Sequence, residues 1–255
     1  MNTLVFDIET IPDLDGGRRI YDLQGLDDKD TANALFNIRR QETGNEFLRL
    51  HLHRVVAISV VLRSAQGVKV WSLGDPDSTE KEIIERFFDG VDRFTPQLVS
   101  WNGSGFDLPV LHYRALLHGV QARRYWETGD EDREFKFNNY QSRYHSRHFD
   151  LMDVLAMFNN RAFAPLDQIA TLLGFPGKMG MSGGKVFDAF QAGDIQGIRD
   201  YCETDVLNTW LVFLRAQLMR GHLDETGYQQ ELELLRDYLK AEDKAHFNAF
   251  LEQWQ

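Results

Sequence analysis

The chain has 255 residues, of which 43% are hydrophobic and 26% are charged, proportions typical of a folded soluble protein with a sizeable core. Its single cysteine, Cys202, excludes an internal disulfide, and no apolar run reaches the roughly 18 residues of a membrane span, so we expect a cytoplasmic protein. The net charge of −11 argues against nucleic-acid binding over the surface as a whole, although bound cations reverse the sign locally.

Short apolar runs rich in β-branched residues predict five β-strands. A polar turn at residues 64–67 joins the second and third runs and indicates a β-hairpin. The expected strands are residues 4–8, 55–62, 68–73, 97–101 and 147–151.

Apolar residues at helical spacing predict helices between and after these strands. Residues 12–54 are expected to hold one helix followed by a partly ordered loop, and Asp77 or Ser78 to cap a helix that ends near Phe88. The glycine-rich residues 174–184 are expected to form a loop. Further helices are expected at residues 106–118, 151–158, 165–173, 194–219 and 224–252.

The order of these elements predicts the fold. An opening antiparallel meander followed by β-α-β crossovers indicates an α/β fold, in which helices flank a mixed five-stranded sheet. We expect one domain at residues 1–219, with residues 12–54 as a helical insertion after the first strand. Residues 220–255 are expected to form a C-terminal helix packed on the same domain.

Two carboxylates lie in the first predicted strand, in the segment Phe6-Asp7-Ile8-Glu9-Thr10. Because side chains alternate along a strand, Asp7 and Glu9 share one face while Phe6 and Ile8 pack into the core. Two neighbouring carboxylates on a buried strand repel each other unless a cation lies between them. A strand end at which two acids meet solvent also explains this pair when it is taken alone.

A third acid opens a predicted helix. In the segment WNGSGFDLP, a strand ends at Trp101, a glycine-containing turn follows, and Asp107 begins the next helix. An acid at this position also caps free amide groups and complements the helix dipole. Helix capping alone therefore remains an alternative explanation of Asp107.

The long helix near the C-terminus contains the segment Tyr201-Cys202-Glu203-Thr204-Asp205. Tyr201 and Asp205 are four residues apart and therefore lie on one helix face. A tyrosine and an acid on an exposed helix surface remain the alternative explanation. Glu203 lies on a different face and is left out of the candidate site.

The three segments DIET, NGSGFD and YCETD, in this order and at these spacings, resemble the exonuclease motifs of the DEDD superfamily. The tyrosine four residues before the last acid resembles the DEDDy branch. Within it the chain resembles the proofreading domains of family-B DNA polymerases and their free-standing bacterial relatives. The resemblance implies an RNase H-like fold and a 3′-5′ exonuclease that acts on the single-stranded 3′ end of a nucleic acid.

This resemblance also implies a mechanism with two divalent cations, Mg²⁺ or Mn²⁺. Asp7 would bridge both cations, Glu9 and Asp205 would complete the site of the water-activating one, and Asp107 would hold the other. Tyr201 would orient the attacking water, since a phenol with a pKa near 10 remains protonated at neutral pH. The hard oxygen ligands of this set fit either cation.

Several residues near these motifs are candidate substrate contacts. Asn102 would either bind substrate or fix its turn, and Phe106 would either stack on a base or pack into the core. Lys178 and Lys185 lie in a glycine-rich stretch that fails the Walker A pattern, and they are candidates for contacting the substrate backbone. Thr10, beside Glu9, completes the set.

The sequence leaves several functions open. Single-stranded DNA is the expected substrate, and the alternatives are an exoribonuclease that trims RNA 3′ ends or a non-catalytic nucleic-acid-binding module of the same fold. A phosphatase that uses the same cations on small phosphates is a further alternative. Asp150 is expected to cap the helix that follows it, and no protein partner is predicted.

Overall fold

A mixed β-sheet forms the centre of the protein, for which a computed structural model describes residues 2–254. Its strands within that range are β1 (Thr3–Pro12), β2 (His53–Ser64), β3 (Gly67–Ser72), β4 (Gln97–Ser100) and β5 (His148–Asp150). Their order is β3-β2-β1-β4-β5, with antiparallel pairing through β3, β2 and β1 and parallel pairing from β1 through β4 to β5. The predicted RNase H-like α/β fold is confirmed.

Helices cover both faces of the sheet. Those in residues 2–254 are α1 (Leu14–Tyr21), α2 (Asp28–Thr43), α3 (Glu80–Phe94), α4 (Asp107–His118), α5 (Leu151–Leu155), α6 (Leu166–Leu172), α7 (Val186–Gln191), α8 (Ile195–Met219), α9 (Glu225–Glu242) and α10 (Ala245–Gln253). The helices α3 and α4 share one hydrophobic core with the sheet, and α8, α9 and α10 share the other. Across residues 2–254, every helix is too short or too polar to cross a membrane.

The alternation of side chains in β1 matches its sequence. Phe6 and Ile8 are buried in the core that contains α3 and α4. The strand continues to Pro12 rather than ending at Ile8, because its last residues pair with β2 beyond an irregularity in the register after Glu9. That irregularity leaves Val56 of β2 without a partner in β1, and such bulges bend the strand that contains them.

The insertion after β1 contains more helix than the sequence predicts. The expectation of one helix and a partly ordered loop is wrong, because α1, α2 and a 3₁₀ turn at Leu50–Leu52 all lie there. Helix α1 contains adjacent glycines, which have low helix propensity, and the sequence therefore does not predict a helix there. A Cβ atom on Gly17 would lie 2.7 Å from Leu35 Cδ1, so the glycine permits close packing of α1 on α2.

A buried ionic network fixes the start of this insertion to the core. Arg114 on α4 donates to the carboxylates of Asp13 and Glu80, and all three residues are buried. Glu80 also accepts a hydrogen bond of 2.7 Å from the Val55 amide, and its other oxygen lies 2.7 Å from His118 Nε2. The network therefore joins α1, α3, α4 and β2.

The start of α3 differs from the predicted one. Thr79 is the capping residue, and its side chain and that of Glu82 form a reciprocal capping box. The expectation that Asp77 or Ser78 caps this helix is therefore wrong. The Ser78 hydroxyl instead accepts a hydrogen bond of 3.0 Å from the Asp75 amide in the preceding turn. The helix also continues beyond its predicted end.

Two helices occupy the C-terminal segment where the sequence predicts one. The helix breaks at Asp243, which adopts a left-handed conformation with φ of 50° and accepts a hydrogen bond from Asn248. Both helices pack against α8, and α9 also lies along β3. There the Tyr238 hydroxyl donates to the Val70 carbonyl at 3.2 Å and accepts from the Val70 amide at 3.1 Å.

We predict that Arg114→Ala lowers the free energy of unfolding by about 3–5 kcal/mol, because it leaves two buried carboxylates without their cation. Urea denaturation measures this loss. The matched control is Arg49→Ala, which removes a solvent-exposed pair with Glu42 and is expected to cost less than about 1 kcal/mol. Similar losses in the two variants would contradict a stabilising role for the buried network.

Candidate functional site

Strand β1 directs two carboxylates toward α8. Glu9 is buried and Asp7 is half-buried. One ligand atom each from Asp7, Glu9 and Cys202 of α8 lies within 4.8 Å of the others. The Cys202 thiol donates to the Asp7 backbone carbonyl at 3.5 Å and lies 3.8 Å from its Oδ2. The first predicted pair of acids therefore faces the helix that carries the third motif.

Asp107 joins this group from the neighbouring strand. It is buried and is the first residue of α4, which follows the turn after β4. Because β1 and β4 are parallel, their carboxyl ends lie at the same edge of the sheet. The amide of Ile8 in β1 acts on the Asp107 carboxylate and opposes the rise in its pKa. Asp107 thus lies beside β1.

The turn between β4 and α4 is held by another acid. Asp150, at the end of β5, accepts hydrogen bonds from the amides of Asn102 at 3.0 Å and Ser104 at 2.8 Å. It also caps α5 by accepting from the Asp153 amide, the capping role expected from the sequence. Asn102 adopts a left-handed conformation with φ of 66°, so its turn role is confirmed. Asp150 therefore positions the turn that leads to Asp107.

Helix α8 supplies the remaining residues. Tyr201 is buried, Asp205 is half-buried, and the two lie one turn apart on the same face. The Tyr201 phenol lies close enough to the Asp205 carboxylate to oppose the rise that burial causes in its pKa. The negative charge of Asp205 acts in turn on both Asp7 and Glu9. We call Asp7, Glu9, Asp107 and Asp205 the carboxylate cluster.

The carboxylate cluster concentrates negative charge away from water. Burial, followed by the charges of neighbouring acids, raises the pKa values of Asp7 and Glu9 well above their ordinary values. Burial raises the pKa of Asp107 to about 7 and that of Asp205 to about 6. Within residues 2–254, the cation that opposes these rises is Lys178, which acts on Glu9 and Asp205. The cluster therefore favours protons or cations.

Tyr201 remains a neutral phenol beside the cluster. Burial raises its pKa above the ordinary value, and the negative charges of Asp205 and Glu9 raise it further. A phenol with a raised pKa keeps its proton throughout the neutral range. Tyr201 can therefore donate a hydrogen bond at the edge of the cluster, whereas proton abstraction by its phenolate is disfavoured.

A cavity of roughly 190 Å³ opens beside Tyr201 and Asp205. The glycine-rich loop forms one wall, where Asn208 of α8 accepts from the Gly177 amide at 3.0 Å and donates to its carbonyl at 2.7 Å. The Lys178 amide donates to Asp167 Oδ1 at 2.6 Å. These bonds hold Lys178 next to the cluster. A 3₁₀ turn at residues 183–185 replaces the end of the expected loop at residues 174–184, and α7 follows in a stretch for which no element was predicted.

Thr10 and Phe106 are connected through His53. The Thr10 hydroxyl is 2.8 Å from His53 Nδ1, and the Phe106 ring stands edge-on to the imidazole at 5.1 Å between centroids. Phe47, from the insertion, is 57% exposed, and its ring lies 5.7 Å from that of Phe106. An aromatic wall of Phe47, His53 and Phe106 therefore borders the end of β1.

A family comparison agrees with this geometry. A family described as predicted 3′-5′ exonucleases related to the exonuclease domain of PolB matches residues 45–254, which is more than half of the chain. The chain belongs to this family. A search of curated protein sequences gave no match.

The matched range of this exonuclease family contains two of the three motifs. It includes Asp107, Tyr201 and Asp205, whereas Asp7 and Glu9 precede its first residue. The pairing of β1 with β2 and β4 brings these two acids to the matched part of the chain. The structure therefore places Asp7 and Glu9 beside the matched residues, although the family match itself does not include them.

Sequence patterns did not identify three residues that organise this site. The Cys202 thiol donates to the Asp7 carbonyl. Asp167 accepts a hydrogen bond from the Lys178 amide, and Asn208 accepts one from the Gly177 amide. The spacing of Asn208 from Asp205, one helical turn, was a usable signal for a neighbouring position. Lys185 is exposed in the 3₁₀ turn before α7, and its contact with substrate remains a prediction.

We predict that Asp150→Ala lowers the free energy of unfolding by about 2–4 kcal/mol, because three backbone amides, at Asn102, Ser104 and Asp153, lose their acceptor. Thermal and urea denaturation measure the loss. Asp224→Ala is the matched control, since this exposed helix cap accepts one amide hydrogen bond and is expected to cost about 1 kcal/mol. Equal losses would show that Asp150 acts as an ordinary cap.

Proposed function

We propose that the protein is a metal-dependent 3′-5′ exonuclease that hydrolyses single-stranded DNA, with Asp7, Glu9, Asp107, Tyr201 and Asp205 as its catalytic residues. One observation supports this most strongly. Four carboxylates from three distant segments meet at one edge of the sheet, although burial raises the pKa values of all four and the charges of the other acids raise those of Asp7 and Glu9 further. Such an arrangement is costly unless cations neutralise it.

The donor set fits two hard divalent cations. Carboxylate oxygens are the ligands that Mg²⁺ and Mn²⁺ prefer. The Cys202 thiol is close, but burial and the charge of Asp7 raise its pKa, so it stays protonated and is a poor ligand. Asp7 would bridge both cations, with Glu9 and Asp205 on one and Asp107 on the other. When bound, such cations lower the pKa of an attacking water and stabilise charge on the leaving oxygen.

The reaction that these residues would catalyse is hydrolysis of the last phosphodiester bond. Water attacks the phosphorus of the last phosphodiester, the bond from phosphorus to the 3′ oxygen of the preceding nucleotide breaks, and that oxygen takes a proton. The product is a nucleoside 5′-monophosphate. Tyr201, which keeps its own proton, donates a hydrogen bond that orients the water.

The walls of the site would hold the terminal nucleotide. Lys178 is fixed beside the carboxylate cluster through its backbone and is positioned to pair with a phosphate. The Phe106 ring offers a stacking surface for a base, and the Thr10 hydroxyl offers a hydrogen bond near the end of β1. Two further candidates lie outside the cavity lining: Asn102 forms part of its turn, and Lys185 is in the 3₁₀ turn before α7.

We predict that the purified protein shortens 5′-labelled single-stranded DNA from its 3′ end and releases nucleoside 5′-monophosphates with Mg²⁺ or Mn²⁺, and that EDTA stops the reaction. Asp7→Asn is expected to lower the rate at least about 100-fold, because the bridging charge is lost. Gel analysis of parallel digests of single-stranded DNA, duplex DNA and RNA measures both effects.

The substrates and variants in this assay separate the alternatives. Faster digestion of RNA would replace the DNA proposal with an exoribonuclease, and binding without cleavage would indicate a non-catalytic module. Equal rates for Asp7→Asn and the parent protein would contradict the assignment of this site.

We predict that Asp205→Asn weakens Mn²⁺ binding in a calorimetric titration, because an amide oxygen carries no net charge for the cation. Asp200→Asn is the matched control on the same helix, since Asp200 lies outside the carboxylate cluster and hydrogen-bonds to Gln196. Its cation affinity should equal that of the parent protein. Unchanged affinity in Asp205→Asn would contradict its role as a ligand.

A further inference from the structure

The segment after β5 contains an unusual backbone. Helix α5 ends at Leu155, before its predicted end, and the next turn places Met157 and Phe158 in consecutive left-handed conformations with φ of 51° and 58°. The Met157 amide donates to the Val154 carbonyl at 3.1 Å, and the Phe158 amide donates to the Asp153 carbonyl at 2.7 Å. Residues other than glycine seldom adopt this conformation, and those that do concentrate at ligand-binding positions.

The turn displays apolar side chains to solvent instead of burying them. Met157 is 85% exposed and Phe158 is 39% exposed. Tyr144, which is 81% exposed, approaches Phe158 with 5.8 Å between ring centroids. The Arg143 guanidinium lies 4.6 Å above the Phe158 ring and 3.4 Å from the Asp153 carboxylate. We call Arg143, Tyr144, Met157 and Phe158 the stacking platform.

Contacts connect the stacking platform to the surroundings of the carboxylate cluster. The Phe158 amide and the Arg143 guanidinium both contact Asp153, whose own amide donates to the Asp150 carboxylate. Before α5, Asp150 holds the turn that leads to Asp107. After the platform, a short 3₁₀ turn leads to Pro165, which lines the cavity beside Tyr201 and Asp205. The segments on either side of the platform therefore both contact residues of the candidate site.

The local charge differs from that of the whole protein. The exposed stretch from residue 154 to residue 166 contains Arg161 and no acidic residue, although the chain has a net charge of −11. The nearby acids Asp150 and Asp153 are buried. The surface around the platform is therefore compatible with a polyanion.

We propose that the stacking platform binds the single-stranded segment that precedes the scissile phosphodiester. Bases stack on Tyr144 and Phe158, and Arg143 contributes its charge to the backbone phosphates. This proposal rests on the proposed exonuclease activity and extends it, because it gives a reason for the single-stranded substrate. Bases in a duplex already stack on one another and are unavailable to the platform.

Phe158→Gly tests this assignment without endangering the fold. Glycine accepts the left-handed conformation freely, which offsets the loss of the contacts of the ring, so the variant is expected to unfold at a urea concentration close to that of the parent. Fluorescence anisotropy with a 5′-labelled oligothymidylate of about 12 nucleotides, in an Asp7→Asn background, measures affinity. Loss of one stacking ring is expected to raise Kd about 5- to 100-fold, and Tyr144→Ala should act in the same direction.

The matched control is Phe137→Ala, which also removes an exposed aromatic ring. Phe137 ends the 3₁₀ turn at Arg133–Lys136 and lies outside both the stacking platform and the lining of the cavity. Its affinity for the oligothymidylate should equal that of the parent. Unchanged affinity in both Phe158→Gly and Tyr144→Ala, or an equal loss in Phe137→Ala, would overturn the stacking platform.

A small substrate separates this proposal from the exonuclease activity itself. The p-nitrophenyl ester of thymidine 5′-monophosphate reaches the carboxylate cluster without reaching the platform. Phe158→Gly with an intact Asp7 should hydrolyse this ester at the parental rate while its Kd for the oligonucleotide rises. A parallel loss of ester hydrolysis would overturn a binding role. Failure of the parent protein to hydrolyse either substrate would contradict the exonuclease activity, whereas the anisotropy result would still test the platform.

Discussion

Repulsion among the four acids of the carboxylate cluster is the constraint around which this end of the protein is organised. Strand alternation directs Asp7 and Glu9 to one face, parallel pairing brings the turn before Asp107 beside them, and α8 adds Asp205. Each of these features is ordinary backbone geometry, yet together they enclose negative charges that repel one another. The surrounding scaffold must therefore be stable without help from this site.

Other buried acids of this protein accept hydrogen bonds from neighbouring residues. Glu203, two residues before Asp205, accepts from the Ser72 amide and hydroxyl and pairs with His246, and these contacts lower its pKa. Asp150 accepts three amide hydrogen bonds. At the acids of the cluster, the opposing groups, such as the Ile8 amide at Asp107 and Lys178 at Glu9 and Asp205, do not outweigh burial, and the pKa values stay raised. This contrast, more than burial itself, distinguishes a candidate cation site from structural acids.

Periodicity was sufficient to predict the parts of this arrangement that depend on local geometry. The spacing of Asp7 and Glu9 and that of Tyr201 and Asp205 each specify a shared face, and the structure has both. Features set by distant contacts were not predictable. Helix α1 depends on close packing of a glycine against α2, and the C-terminal helix breaks where a non-glycine residue adopts a left-handed conformation. The position of Cys202 under Asp7 likewise depends on how α8 crosses the sheet.

The ionic network around Arg114 has a consequence for motion. It anchors Asp13, at the root of the insertion that carries Phe47, to α3 and α4 in the interior. Swinging this insertion outward from its base would expose a guanidinium and two carboxylates that are paired in a region of low dielectric. The base of the insertion is therefore held against the core, and we expect Phe47 to keep its position beside Phe106 when the proposed substrate binds.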